Sequence, residues 1–218
     1  NALAGVVFAG NQSLWAVGHN GTILHSFDGG VSWLHEMDGL TDNLLGIAAV
    51  DELTAFVVGD NGACLRTMNG GYDWQELATG TTEGLNAVTF VTALSGWVCG
   101  DNGLILRTSD GGEAWHKQET GVEVSLNAIV LVNESEGYAV GAAGTVLKSS
   151  NGGVTWTARN ITRNPDLFAV VFSGPGTGWI AGSGGALFST VNGGARWDQQ
   201  ASGITRNINA LFTHSASD

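Results

Sequence analysis

Proline is nearly absent from this sequence, two residues in 218, and basic side chains are scarce: eight Lys and Arg stand against twenty Asp and Glu, for a net charge of −12. Such a surface lacks the cations that neutralise phosphates, which argues against nucleic acid as a partner. The longest apolar runs, such as 128–132, are far too short to span a bilayer, so no transmembrane segment is expected. Only two cysteines occur, Cys64 and Cys99, at positions where other parts of the chain carry Ile, Val, Leu or Ala. They read as small core residues; a disulfide between them is unforced and their number fixes no redox compartment. The chain begins at Asn1 with neither Met nor a signal-like apolar segment, and reads as a mature or trimmed product. Glycine, by contrast, is abundant at 34 residues without a collagen triplet, which fits many tight turns between short strands.

What replaces the missing features is repetition. Trp33, Trp74, Trp115, Trp156 and Trp197 recur at a constant step, each closing a Ser/Thr-x-Asp/Asn-Gly-Gly-x-x-Trp stretch such as Thr108 to Trp115. The step of about 40 residues is in the range of propeller blades. The stretch is a turn with a mechanism: hydroxyl and Asx oxygens take up backbone amides, and the glycines accept positive φ. The column Asp28, Asn69, Asp110, Asn151, Asn192 exchanges carboxylate for amide, so what every copy keeps is an acceptor oxygen, not a charge.

Each repeat reads as four antiparallel strands: an apolar first strand (3–8, 44–49, 85–90, 126–131, 167–172 and again 208–213), an aromatic-led second, a third, and a fourth starting at the Trp. Asn20-Gly21, Asn61-Gly62 and Asn102-Gly103 predict type I′ hairpins between the second and third strands. The fold class is therefore an all-β, five-bladed β-propeller on one domain, with repeats 3–43, 44–84, 85–125, 126–166 and 167–207. The extra first strand 208–213 is expected to pair beside 15–18 and displace or duplicate 3–8, leaving a spare strand for an edge or an oligomer contact. The tryptophans read as inter-blade packing rather than sugar platforms. Asp42, Asp60, Glu83, Asp101, Glu123 and Asp166 fall in turns and connections and read as solubilising charge.

The fivefold Asp-box pattern, with text such as GLNAVTF…GWVCGDNGLILRTSDGGEAW (84–115), resembles the BNR repeats of sialidases, of sortilin-type receptor domains and, most closely, of the photosystem II stability/assembly factor family. That resemblance implies a non-enzymatic propeller that holds a protein partner outside the cytoplasm, in a periplasm or lumen or as a secreted protein.

Sequence offers little for catalysis. A sialidase needs an arginine cluster, a Tyr nucleophile with a Glu partner and an acid Asp; only Tyr72 and Tyr138 exist, one in an Asp-box turn and one in the aromatic core column. No Ser/His/Asp order, HExxH spacing or phosphate loop occurs, and no cofactor or metal site is expected. For binding, a column one residue before the Asp-box hydroxyl carries His25, Arg66, Arg107, Lys148 and Ser189; Arg159, Arg163 and Arg206 lie in the last two inter-repeat connections. An arc of Arg66, Arg107 and Lys148 edged by His25 suits an acidic peptide segment, with solvated or locally paired charge as the alternative role. The reading is a protein- or peptide-binding scaffold. Its alternatives are a glycan-binding or vestigial sialidase-like propeller and a designed or amplified repeat protein without an evolved partner.

Overall fold

A computed structural model describes residues 1–36, 39–159, 161 and 164–213. The chain divides into two compact units, Asn1–Gly100 with Leu106–Lys117, and Asp101–Ile105 with Gln118–Asp218. Among the described residues the architecture is five antiparallel four-stranded sheets, each built from one repeat with its strands in sequence order. The first strands are Leu3–Phe8, Leu44–Ala49, Leu85–Phe90, Leu126–Leu131 and Leu167–Phe172, as the repeat predicts. The fourth strands are stubs of two or three residues, for example Gln75–Glu76, and begin after the Trp rather than at it. In two boxes the indole bonds back into the turn, Trp33 Nε1 donating to the Gly30 carbonyl at 3.2 Å and Trp156 Nε1 to that of Gly153 at 3.1 Å, while Trp74, Trp115 and Trp197 bury theirs without a hydrogen bond.

The second and third strands are joined by two-residue turns whose central residues both have positive φ, as a type I′ turn requires: Asn61 at 56° and Gly62 at 74°, Asn102 at 53° and Gly103 at 69°. Ala143 takes the same conformation at 52° and has no amide side chain to favour it. An L-residue with a Cβ is strained there by about 1 kcal/mol. Ala143→Asn, at an exposed site, is expected to stabilise the protein by up to about 1 kcal/mol, read as a rightward shift of the urea midpoint at constant m-value.

Blades stack through their first strands. In the first unit, Leu44 and the half-buried Ile47, Ala49 and Trp74 of the second blade pack on Trp15, Val17 and Ile23 of the first. In the second unit, Leu167, Val170 and Trp197 pack on Tyr138, Val140 and Val146. A Cβ at Gly46 would lie 2.9 Å from the Ala87 backbone of the next blade, which explains the small residue at the third position of the strand. The first blade departs from its copies: Leu3, Val6 and Phe8 are 56, 65 and 61 % exposed, whereas Leu44, Leu85, Leu126 and Leu167 are buried. Cys64 and Cys99 are buried and not joined in a disulfide; burial pushes the Cys64 thiol up to about 12.

The expected pairing of 208–213 beside 15–18 does not occur. Leu3–Phe8 itself pairs with Leu14–Gly18, while residues 208–213 form no strand and approach the fifth blade, with Ile208 N–H donating to the Gly182 carbonyl at 3.0 Å. A first strand pairs with the second strand that follows it in its own repeat, and residues 208–213 have no such successor among the described residues. The turn acids, read as solvated charge, are tied in: Asn61 Nδ2 donates to Asp42, Asn43 Nδ2 to Asp60, Ser125 Oγ to Asp101, and the Ala143 amide to Asp166.

Candidate functional site

The five Asp boxes share one hydrogen-bond pattern. In the third, Thr108 Oγ1 donates to Asp110 Oδ1 at 2.7 Å and accepts the Gly112 amide at 2.9 Å, while the Ala114 amide donates to the same Oδ1 at 3.0 Å. Asn69, Asn151 and Asn192 place their amide oxygen on the same two donors. Because an amide oxygen suffices, Asp110→Asn is expected to leave the melting temperature nearly unchanged, whereas Asp110→Ala, which strands the Ala114 amide, lowers it by a few degrees. Equal shifts for the two variants would refute this role.

The basic column does not form a row of free cations. Hairpin register places four of its members across from the aromatic residue of the second strand: Trp15 opposite His25, Phe56 opposite Arg66, Tyr138 opposite Lys148 and Trp179 opposite Ser189. Arg66 is buried; its Nη1 donates to the Gly111 carbonyl in the next blade's Asp box at 2.7 Å, and its Nη2 to Gln75 and to Glu113 at 2.7 and 2.6 Å. Lys148 repeats this in the second unit, donating to the Gly193 carbonyl at 2.8 Å, pairing with Glu136 at 3.0 Å and lying over the Tyr138 ring. Burial lowers its pKa, but the Tyr138 and Glu136 hydrogen bonds outweigh that and leave it raised. Ser189 accepts from Gln200.

Arg107 differs. Its guanidinium lies 5.6 Å from the Trp97 ring centroid, its Nε is buried without a hydrogen-bond partner, and its head group carries no ion pair among the described residues. Arg159 and Arg206 are exposed; Arg163 lies outside the described residues.

His25 is wholly buried between Trp15, stacked at 3.6 Å, and Phe27. Its Nε2 is 2.8 Å from Ser13 Oγ and its Nδ1 3.5 Å from Glu36 Oε1. The fold thus assembles a Ser–His–Glu trio that the order of residues along the chain did not show. Ser13 is also buried and the aromatic rings occupy both faces of the imidazole, so no substrate carbonyl reaches the hydroxyl. Burial holds the His25 pKa below its ordinary value, against a hydrogen bond to the Gly70 carbonyl. The unfolded chain therefore binds a proton that the folded chain refuses, and stability falls as pH drops below about 6.5. A few degrees of melting temperature should be lost between pH 7.5 and 5.5, and His25→Gln should flatten the profile over that window. Further acidification reaches Asp28, held down to about 2 by Ser32 and Ser26, and Asp110, also depressed chiefly by the Ala114 amide. Their contributions are present above the ordinary carboxylate range and are lost as pH falls through the depressed values.

Ser13, Glu36, Glu113 and Glu136, which partner this column, were not singled out by the sequence. Among the described residues no group of three or more His, Cys, Asp or Glu could hold a metal ion, and no helix is long and apolar enough to cross a membrane.

Four-stranded blades sealed by Asp-box turns define the β-propeller class. A family model described as photosynthesis system II assembly factor YCF48 matches residues 2–68, 67–158 and 118–202, and the chain belongs to that family. Similar solved structures include YCF48 bound to D1 peptide (18 % identity over 90 % of this chain and 80 % of that one, TM-score 0.53). YCF48 from Cyanidioschyzon merolae is 17 % identical over 94 and 87 % of the two chains, with a TM-score of 0.62. An ancestral GH74 enzyme is 17 % identical over 94 % of this chain and 32 % of that one, with a TM-score of 0.79. At these identities the likeness is one of fold. No curated protein matches the chain.

Proposed function

We propose that the chain is a non-enzymatic scaffold, one propeller domain over residues 1–218, that holds a protein or peptide segment in an extracytoplasmic compartment. Family membership carries this reading, and the structure of a family member bound to a peptide supports it. The Ser13–His25–Glu36 trio is enclosed, so Ser13 itself has no approach for a substrate. The finer reading is that the segment is acidic and is taken through the basic column. Within that column Arg107 has a guanidinium to offer, while His25, Arg66 and Lys148 hold the fold; Arg159 and Arg206 add exposed cations. A guanidinium backed by an indole face is prepared for carboxylate recognition.

The test is capture of fluorescent acidic and neutral peptides of equal length at low and physiological salt. Wild type should retain the acidic peptide, and Arg107→Gln, with its fold verified, should lose most of that retention. Unchanged capture by the variant would remove Arg107 from the site. Capture of oligosaccharides instead of either peptide would replace the scaffold reading with a glycan-binding one.

A further inference from the structure

A second surface lies on the Asp-box side of the first unit and uses none of the column's cations. Phe27, Leu53, Met68, Tyr72 and Leu94 are each more than half exposed there. They are neighbours through the turns. The Gly70 amide donates to the Leu53 carbonyl, the Gly111 amide to that of Leu94, and Arg66, two residues before Met68, reaches the Gly111 carbonyl beside Leu94. Phe27 packs on His25, which stacks on Trp15, the ring against Gly71 of the second box.

Nothing in the turn demands these side chains. In the second unit the Gly152 amide donates to the carbonyl of Ser135, the counterpart of Leu53 and Leu94, and Ser150 stands where Met68 does. The fourth box thus makes the same turn with serine at both places, so the turn does not need Leu53, Met68 or Leu94, which expose hydrocarbon to water. Between Met68 and Trp74 the surface opens into a cleft of about 340 Å³, also lined by Asp73 and Gln75. This is room for a leucine- or phenylalanine-sized side chain. The charge around it is of one sign: Glu52, Asp73 and Glu113 flank the apolar residues, and the one cation lining the cleft, Arg66, is buried and already bonded to Gly111, Gln75 and Glu113.

From this apolar rim within an acidic field we infer that the Asp-box side of the first unit docks a cationic, apolar segment of another protein, with a large apolar side chain in the Met68–Trp74 cleft and Lys or Arg toward Asp73. An acidic segment is repelled here, so the surface is separate from the one Arg107 would serve.

Fluorescence anisotropy at physiological salt with three ten-residue peptides, alternating Lys–Leu, Lys–Ser and Asp–Leu, tests it. Lys–Leu should bind at least tenfold more tightly than either other peptide. Met68→Ser with Leu94→Ser, serine being what the fourth repeat carries at both positions, should cost at least tenfold without changing the melting temperature. Asp73→Asn should cost about threefold and less at high salt. Arg107→Gln should leave Lys–Leu binding intact, which separates failure of this inference from failure of the acidic-segment reading. The inference is overturned if Lys–Ser binds as well as Lys–Leu, since the general negative field then suffices. It is equally overturned if the serine variant binds Lys–Leu unchanged, or if sedimentation shows that the wild type self-associates and the serine variant does not, since the rim would then be filled by a second copy.

Discussion

Gly71→Ala is expected to lower the melting temperature by about 10 °C, while the equivalent change at Gly30 lowers it by a few degrees only. Both glycines are the second of an Asp box and both have φ of 92°, so an added Cβ meets the same backbone strain of about 1–2 kcal/mol at each. Their surroundings differ. At Gly71 the new Cβ would lie 2.5 Å from Cη2 and 3.0 Å from Cζ3 of Trp15, a buried ring of the preceding blade already stacked on His25. At Gly30 the nearest atom is 3.8 Å away, on Trp33. Overpacking in a close-packed core costs a further ~1–3 kcal/mol, and Trp15 has no free volume into which to retreat. The difference between the two variants measures the blade-to-blade contact with the backbone term cancelled. Equal shifts would mean that the glycine is kept for its φ alone.

Arg66→Met comes next in size. Methionine fills much of the same volume but donates nothing, leaving the buried Gly111 carbonyl and the Gln75 oxygen without Arg66 as donor. The expected loss is about 3 kcal/mol, read from urea unfolding. Arg66→Lys should lose less, because Lys148 shows in the second unit that a single ammonium reaches the corresponding glycine carbonyl. Glu113→Gln should cost under ~1 kcal/mol, since the Glu113 side chain is largely exposed and its ion pair is screened. If Arg66→Met unfolds at the wild-type urea concentration, the guanidinium is a surface charge and the bridge between blades is held elsewhere.

The extent to which the chain could be read without coordinates follows from which interactions repeat along it. Asp-box turns, type I′ hairpins and first strands recur in every copy, and their chemistry lies within a few residues of sequence, so their residue types declare them. Ala143, which lacks the Asn-Gly signature, stands at the same point of the period as Asn61 and Asn102 and takes their conformation. The destination of the basic column was not legible in this way, because its acceptors are glycine carbonyls, which any residue could supply, in the next repeat. One signal was present: the hairpin register that sets Phe56 opposite Arg66 and Tyr138 opposite Lys148 places the cation on a ring and not in water. The Ser13–His25–Glu36 trio joins a loop, a third strand and the residue after a fourth strand of one repeat, and nothing in the other repeats marks it. Residues 208–213 copy the first-strand pattern but find no second-strand partner among the described residues, and pattern without a hydrogen-bonding partner did not make a strand.

The lock between the second glycine of a box and the aromatic of the blade before it, seen at Gly71 with Trp15 and at Gly194 with Tyr138, also bears on how such a chain can change length. At the junctions inside each unit the later repeat brings the glycine and the earlier one the aromatic, as also at Gly112 with Phe56. A gene segment copied or deleted over one full period, from any codon to its equivalent, therefore preserves both halves of every junction it creates. A segment of any other length puts a box turn where an aromatic is required. The unbroken spacing of Trp33, Trp74, Trp115, Trp156 and Trp197 is the spacing that such a junction requires.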